Sequence, residues 1–205
     1  MSEPFFSVIV PAHNSQEYIR KGLESIRNQS FKDYELIIVC DACTDDTEKV
    51  AREYADKVIV TEFGCDGPAR SAGMDVAEGE WLLFMDDDDW WIHQYVLYYI
   101  HEVASRTDAD ILPFCFLWPG DKQGRYYWDH MNGMNIAPWS KAYRRDFVGD
   151  VRFPNIPFTS DVPFIQALIA KEPKILIIDK LMYYYNYMRE GSQTEQHEKG
   201  GSADG

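Results

Sequence analysis

Short apolar runs alternate with segments of helical spacing over the first ninety residues of the chain. The runs are rich in Val, Ile, Leu and Phe, which is typical of strands buried on both faces of a sheet. They lie at residues 6–11, 34–40, 57–61 and 80–85. The segments between them have apolar residues three and four positions apart, which predicts helices that begin near Ser15, Thr44 and Pro68.

This alternation predicts an α/β fold with a mostly parallel central sheet flanked by helices. The carboxyl ends of parallel strands lie at one edge of a sheet, and ligands bind there. Three polar clusters follow the predicted strands, at residues 11–14, 41–44 and 86–89. The sequence therefore predicts one crevice built from all three clusters.

The second half of the chain has a less regular pattern. Residues 90–106 and 159–171 have the spacing of helices, and Thr159 or Ser160 would cap the second one. Residues 110–118 predict a strand in which Pro113 indicates an edge position or a bulge. The pattern also predicts a strand at 125–130, a short helix within 138–147 and a final buried strand at 174–178.

The pattern shows no internal repeat and no long linker, so the two halves are expected to share one globule. We predict a single domain at residues 1–195, with a first half at 1–89 and a second half at 90–195. The polar, glycine-rich tail at 196–205 is expected to be disordered.

The charge balance excludes several classes of partner. The chain of 205 residues has 34 acidic and 20 basic side chains, a net charge of −14. Nucleic acids and anionic lipid surfaces both require clustered Lys and Arg, so neither is an expected partner. No apolar run approaches the ~20 residues of a membrane span, and the N-terminus lacks the pattern of a signal peptide.

The four cysteines are predicted to be reduced. Cys40 and Cys43 form one C-x-x-C, but no second pair of Cys or His completes a zinc site. Because disulfides are rare in reducing compartments, we expect buried thiols in a cytoplasmic protein.

Four consecutive aspartates, Asp86 to Asp89, follow the predicted strand at 80–85. In an extended chain, residues two apart point to the same side, so Asp86 and Asp88 would present two carboxylates to one point. A hard divalent cation relieves their repulsion and keeps open positions for phosphates. The alternative is an acidic loop that caps a helix beginning at Trp90; the position after a buried strand favours the metal.

Seven segments occur in a fixed order along the chain. They are SVIVPAHN (7–14), LIIVCDACTDDT (36–47), GPARSAG (67–73), GEWLLFMDDDDWW (79–91), PWSKAYRRDF (138–147), SDVPF (160–164) and YNYMREGSQT (185–194). With these motifs in this order, the sequence resembles the glycosyltransferases of family 2, which have the GT-A fold. The resemblance extends to about residue 195, and its specificity lies in the ordered set of motifs. It implies a nucleotide-sugar-binding half at residues 1–89 and an acceptor-binding half at 90–195.

The resemblance implies a role for each matching residue. Asp161 matches the catalytic base, Asp88 is the expected direct metal ligand with Asp86 beside it, and the metal is Mn²⁺ or Mg²⁺. Trp139 is the expected aromatic of the acceptor site. His197 is a candidate for an additional metal ligand. The residues expected to bind the nucleotide-sugar are Pro11, Ala12, His13, Asn14, Asp41, Arg70, Asp86, Asp87, Arg189 and Ser192.

The implied reaction is metal-dependent, inverting transfer of a sugar from a nucleotide diphosphate, most often UDP, to a hydroxyl of a glycan, lipid-linked or other acceptor. A cation stabilises the charge on the leaving diphosphate. A carboxylate accepts the proton of the attacking hydroxyl, a contribution of about 10²–10⁴ in rate. Arginines add bidentate phosphate contacts.

The chain departs from the family pattern at four positions. His13 replaces a frequent aromatic residue, Ala42 follows Asp41 where glycine is frequent, and Ser71 follows Arg70 where asparagine is frequent. Ser160 precedes Asp161 where glutamate is frequent, which leaves Asp161 as the base candidate there.

Two other classes of function remain as alternatives. One is a nucleotide-sugar-binding protein without transferase activity, which an intact Asp161 argues against. The other is a different metal-phosphate enzyme, such as a nucleotidyltransferase or a phosphatase. An aspartyl phosphatase would have D-x-D-x-T/V after its first strand, whereas here the aspartates follow the fourth and Trp90 is at the corresponding position.

Overall fold

The computed structural model describes residues 3–118, 126–127, 136–156 and 159–186. The strands are β1 (Phe6–Ala12), β2 (Tyr34–Asp41), β3 (Lys57–Thr61), β4 (Trp81–Phe84), β5 (Trp90–Trp91), β6 (Ile111–Leu117), β7 (Tyr126–Tyr127), β8 (Lys141–Arg144) and β9 (Ile178–Tyr184). The helices are α1 (Ile19–Arg27), α2 (Thr47–Tyr54), α3 (Asp66–Asp75), α4 (Val96–Ala104), α5 (Arg145–Val148) and α6 (Asp161–Ile169), with a 3-10 turn at Pro138–Ser140. Among these described segments, no helix has the length and apolar character needed to cross a bilayer.

The first half forms the predicted parallel sheet, in the order β3-β2-β1-β4. Val8 in β1 lies in register with Leu36 in β2 and Leu83 in β4, and all three side chains are buried. Because β1, β2 and β4 are covered on both faces, their sequences read as continuous apolar runs. The α/β class predicted from the sequence is confirmed.

The second half of the sheet is mixed and continues in the order β4-β8-β6-β9-β5, with β7 beside β6. The β4–β8, β8–β6 and β9–β5 pairs are antiparallel, and β6–β9 is parallel. The mostly parallel sheet predicted from the first ninety residues is therefore confirmed, and the second half extends it with mainly antiparallel pairs. Pro113 lies in an interior strand, and the register of β6 against β9 shifts on both sides of Cys115, so the bulge was the correct alternative.

The predicted helix at 90–106 is wrong in its first turns. Trp90 and Trp91 form β5, which pairs with Tyr184 and Tyr183 of β9, and the helix begins only at Val96. The Trp90 ring stacks on Tyr184 with centroids 3.9 Å apart. This pairing joins residues more than ninety positions apart, so local spacing carries no signal for it.

The predicted buried strand at 174–178 is also displaced. Ile175, Leu176 and Ile177 are 40–44% exposed, and the strand begins at Ile178, which is buried. Before that point the structure gives one isolated bridge, from Ile175 to Ile111. An apolar run is typical of a buried strand, but burial depends on what the tertiary fold places against it.

Ser15 and Thr44, near which the first two helices are predicted to begin, do not occupy the N-cap positions of those helices. Helix α1 begins after Tyr18 and helix α2 after Asp46, and neither residue makes a side-chain cap bond. Ser15 instead donates its backbone N–H to Thr47 Oγ1 at 2.7 Å. Asp45 accepts the N–H of Thr47 at 3.0 Å. The Ser15–Thr47 bond joins the loop after β1 to the start of α2.

Candidate active site

The four aspartates form a turn between β4 and β5. The Asp89 N–H donates to the Asp86 carbonyl at 3.2 Å, which closes a four-residue turn. The extended geometry expected for Asp86 and Asp88 is therefore wrong, although both residues follow the buried strand as predicted. Gly22 in α1 packs against this turn, since a Cβ there would lie 2.6 Å from the Asp89 carbonyl oxygen.

Asp89 is fully buried and fastens this turn to the end of β9. Its carboxylate accepts the Tyr183 hydroxyl at 2.6 Å and the Asn186 N–H at 2.7 Å. The Tyr183 hydroxyl in turn accepts the Asp86 N–H at 3.1 Å. Burial, with the neighbouring carboxylates, raises the pKa of Asp89 well above its usual value. Sequence reasoning missed this role, because four identical residues carry no signal for which one is buried.

Arg70 lies between the aspartate turn and the predicted base. Its guanidinium is nearly inaccessible to solvent, and Nη2 donates to Asp86 Oδ1 at 2.6 Å. Nη1 lies 3.4 Å from Asp161 Oδ1 and 4.0 Å from Asp66 Oδ2. Arg70 was expected to contact the nucleotide; the structure shows that it also joins Asp86 and Asp161 from opposite halves of the chain.

Asp161 is the first residue of α6, and its side chain is 27% exposed. Burial raises the pKa of this carboxyl to about 6, against the attraction of Arg70 and with repulsion from Asp86 and Asp66. A pKa near the working pH is what an effective general base requires. The position and chemistry of Asp161 therefore suit the role implied by the resemblance.

Close packing of α3 brings Arg70 to Asp161. A Cβ on Gly67 would lie 2.8 Å from both the Pro154 carbonyl oxygen and the Ser160 side chain. Any larger residue at position 67 would push α3 away from the start of α6. The preceding Thr159 has φ of 63°, a left-handed conformation that turns the chain into that helix.

Asp41 lies at the end of β2, as predicted, and its carboxylate is 4% exposed. It accepts the Thr61 hydroxyl at 2.9 Å and the N–H groups of Phe63 at 2.6 Å and Cys65 at 3.0 Å. Most of its acceptor capacity is thus used to shape the loop between β3 and α3. Binding of the nucleotide-sugar by Asp41 stays a prediction.

The loop after β1, at residues 13–14, contacts the polar clusters at 41–44 and 86–89. The His13 N–H donates to Asp87 Oδ2 at 3.0 Å, and His13 Nδ1 lies 2.7 Å from the Asp41 carbonyl oxygen. Asn14 Oδ1 accepts the Thr44 N–H at 2.7 Å. The ends of β1, β2 and β4 therefore meet as the sequence predicts. Two further predicted residues, Pro11 and Ala12, are buried in β1 beneath this loop.

Trp139 lies in the core of the second half, with 6% of its surface exposed. Its indole stacks on Tyr183 and Tyr185, with centroids 4.5 and 5.0 Å away, and meets the edge of Phe116. Direct contact with an acceptor would require these rings to move. The geometry supports a packing role beside Tyr183, whose hydroxyl anchors Asp89.

Three predicted residues, Arg189, Ser192 and the candidate ligand His197, lie outside the described residues, as does the tail at 196–205. Within the described ranges, no group of three or more His, Cys, Asp or Glu side chains has the geometry of a protein-only metal cage. Asp66, Asp86 and Asp161 nevertheless surround the single guanidinium of Arg70, which leaves an excess of negative charge. Such a site suits a Mg²⁺ or Mn²⁺ ion held by one or two carboxylates together with substrate phosphates.

Comparison with known proteins places the chain in a family. Residues 7–166 match the model of glycosyl transferase family 2, so this chain belongs to that family. The poly(ribitol-phosphate) beta-N-acetylglucosaminyltransferase TarS of Staphylococcus aureus is 38% identical over 210 residues, 91% of this chain and 36% of TarS. The GalNAc(5)-diNAcBac-PP-undecaprenol beta-1,3-glucosyltransferase of Campylobacter jejuni is 39% identical over 152 residues, 71% of this chain and 48% of that enzyme.

Solved structures confirm the GT-A fold. TarS 1–349 in complex with UDP-GlcNAc superposes with a TM-score of 0.79 at 26% identity, over 93% of this chain and 60% of that one. The glucosyl-3-phosphoglycerate synthase of Mycobacterium tuberculosis, in complex with Mn²⁺, UDP and phosphoglyceric acid, has a TM-score of 0.69 at 15% identity, over 96% and 74%. This chain spans about a quarter to a half of the length of the curated relatives it matches.

Proposed function

We propose that this chain is a metal-dependent, inverting glycosyltransferase that uses a nucleotide-sugar, with UDP as the nucleotide, and a hydroxyl acceptor. The observation that carries the proposal is the contact of Arg70 with both Asp86 and Asp161. Through this contact, Asp86 of the predicted donor site and Asp161, the predicted base, bind the same guanidinium. The UDP-GlcNAc complex of TarS supports a UDP-linked donor.

Asp88, with Asp86 beside it, would hold Mn²⁺ or Mg²⁺. When bound, the ion supplies electrostatic stabilisation of the charge that develops on the leaving diphosphate. Arg70 orients Asp86 through their 2.6 Å bond, and Asp89 fixes the turn through Tyr183. The complexes of neighbouring structures with Mn²⁺ or Mg²⁺ and UDP support this choice of ion.

Asp161 acts as the base. Its carboxylate accepts the proton of the acceptor hydroxyl while the hydroxyl oxygen attacks the anomeric carbon from the face opposite the diphosphate. This direct displacement inverts the anomeric centre. Arg70 holds the Asp161 carboxylate in place from the α3 side. We assign contacts with the diphosphate to Arg189 and Ser192, as the resemblance implies.

Thermal-shift measurements test the donor site. UDP should raise the melting temperature more with Mn²⁺ than with EDTA, and Asp88→Asn should remove that difference. Asp150→Asn, at an exposed position, is the matched control and should behave like the parent. A UDP effect that does not depend on the metal would contradict the assignment of the aspartate turn.

Arg189→Ala should weaken UDP binding, and an unchanged affinity would remove Arg189 from the donor site.

Transfer and binding can be separated at the base. Asp161→Asn should still bind UDP with Mn²⁺ but lose transfer by about 10²–10⁴-fold, because general base catalysis contributes that much. Release of UDP from a panel of nucleotide-sugars provides the assay. A variant that keeps full activity would show that the base lies elsewhere.

A further inference from the structure

Phe63 is a half-exposed aromatic residue in the loop between β3 and α3. It is 49% exposed, whereas every other phenylalanine that the structure describes is buried or partly buried. A single exposed apolar residue is ordinary on a protein surface, so exposure alone assigns no role to this ring. What distinguishes Phe63 is the loop that carries it and the residues to which that loop is bonded.

Hydrogen bonds tie this loop to the end of β2. The Asp41 carboxylate accepts the N–H groups of Phe63 at 2.6 Å and Cys65 at 3.0 Å, and it accepts the Thr61 hydroxyl at 2.9 Å. The Ala42 N–H donates to the Thr61 carbonyl at 2.8 Å. Because these bonds fix residues 61–65 against β2, the fold itself sets the position of Phe63.

The loop carries Phe63 to the edge where the predicted donor-site residues meet. Asp41 connects it to His13, because the Asp41 carbonyl oxygen lies 2.7 Å from His13 Nδ1 while the carboxylate binds the Phe63 N–H. Gly64, the next residue, has φ of 69°, and a Cβ there would meet no heavy atom within 4 Å apart from its chain neighbours. Open space therefore lies beside Phe63 at this edge.

The predicted donor site has little other apolar surface to offer a ligand. Of its residues that the structure describes, Pro11, Ala12 and Arg70 are buried. The others are polar, and His13 supplies the one aromatic ring among the described members of this set. Small-molecule sites are lined mainly by apolar and aromatic side chains, with a few polar groups that fix orientation. Phe63 provides such a surface next to the polar groups.

We propose that Phe63 is a further donor-binding residue, whose ring stacks on the base of the nucleotide. The proposal rests on the proposed function, since the base in question is that of the nucleotide-sugar. Stacking of a base on an aromatic side chain contributes about 5–150-fold in affinity, as judged by substitution with alanine. The contact requires no charge on the protein, so it adds affinity in a crevice whose other groups are mainly carboxylates.

The UDP affinities of Phe63 variants test the proposal. In calorimetry with Mn²⁺, Phe63→Ala and Phe63→Leu should each bind UDP about 5–150-fold more weakly than the parent, whereas Phe63→Tyr should stay close to it. Leucine keeps the apolar bulk without a ring face, so the pair separates stacking from simple apolar contact. Val60→Ala is the matched control, because Val60 is 53% exposed on β3 and should leave UDP binding unchanged. All four variants should keep the parent melting temperature.

The contrary outcomes are distinct. Unchanged UDP affinity in Phe63→Ala overturns the proposal, and parent-like affinity in Phe63→Leu overturns stacking as its basis. An equal loss in Val60→Ala also overturns it, because the effect would then belong to the β3 edge as a whole. Failure of the parent to bind UDP overturns the proposed function and the role of Phe63 together. A parent that binds UDP through Phe63 but transfers no sugar supports this proposal and contradicts the transferase proposal alone.

Discussion

Arg70 Nη1 lies 3.4 Å from Asp161 Oδ1, and this contact joins helix α3 of the first half to helix α6 of the second. The same guanidinium donates to Asp86 at 2.6 Å, so one side chain sets the distance between the aspartate turn and Asp161, the predicted base. A planar fork with several donors can satisfy both carboxylates at once, which a lysine ammonium cannot do with the same geometry.

Arg70→Ala should reduce the free energy of unfolding by about 3–5 kcal/mol, because it removes a buried cation and leaves the half-buried carboxylates of Asp86 and Asp161 without their partner. Urea unfolding measures this loss. Arg52→Ala is the matched control, since Arg52 pairs with Glu48 on an exposed helix face and should contribute less than about 1 kcal/mol. Equal effects of the two substitutions would show that the Arg70 contacts add nothing to stability.

Asp161→Asn should stabilise the metal-free protein at alkaline pH but not at acidic pH. The folded-state pKa of Asp161, about 6, is above its ordinary value of 3.8, so the folded protein binds more protons than the unfolded chain between these values. The ionised carboxylate therefore opposes folding fully above pH 6, and this cost disappears as the pH falls toward 3.8.

The corresponding gain in Asp161→Asn is up to about 3 kcal/mol at pH 8. Melting temperatures in EDTA, taken from pH 8 down to pH 4, measure it as a difference from the parent. A difference that stays constant across this range would contradict the raised pKa. Asp150→Asn, at an exposed site, should show no such trend.

Tyr183→Phe should destabilise the protein by about 1–3 kcal/mol, because the Asp86 N–H and the Asp89 carboxylate each lose a buried partner. It should also weaken binding of UDP with Mn²⁺, since the aspartate turn is no longer fastened to β9. Tyr184→Phe is the adjacent control: its ring stacks on Trp90, and that stacking survives loss of the hydroxyl. Calorimetry for binding and thermal unfolding for stability should separate the two variants.

Ala42→Gly should increase stability by about 0.5–1 kcal/mol. The left-handed conformation of residue 42 costs an L-residue about 1–2 kcal/mol, and glycine avoids this cost. The greater conformational freedom of glycine in the unfolded chain offsets part of the resulting gain in stability. The same substitution at Ala51, buried within α2, should destabilise the protein by at least about 0.5–1 kcal/mol. If Ala42→Gly also proves destabilising in thermal unfolding, residue 42 is not held in this conformation in solution.

The sequence determined the strands of the first half and the polar clusters that follow them. Residues 6–11, 34–40 and 80–85 are mainly apolar, because the strands they form are covered on both faces. The ends of such parallel strands must meet at one edge, so the contacts of His13 with Asp41 and Asp87 followed from local pattern.

The tertiary structure alone decided which charges meet and which residues are buried. Asp89 and Tyr183 are 94 residues apart, and Arg70 and Asp161 are 91 apart, so no local periodicity indicates either pair. The same long-range pairing turned Trp90 into a strand residue and placed Trp139 in the core. Local pattern fixes which face of an element is apolar, whereas its partners, and through them the pKa of Asp161, depend on how distant elements pack together.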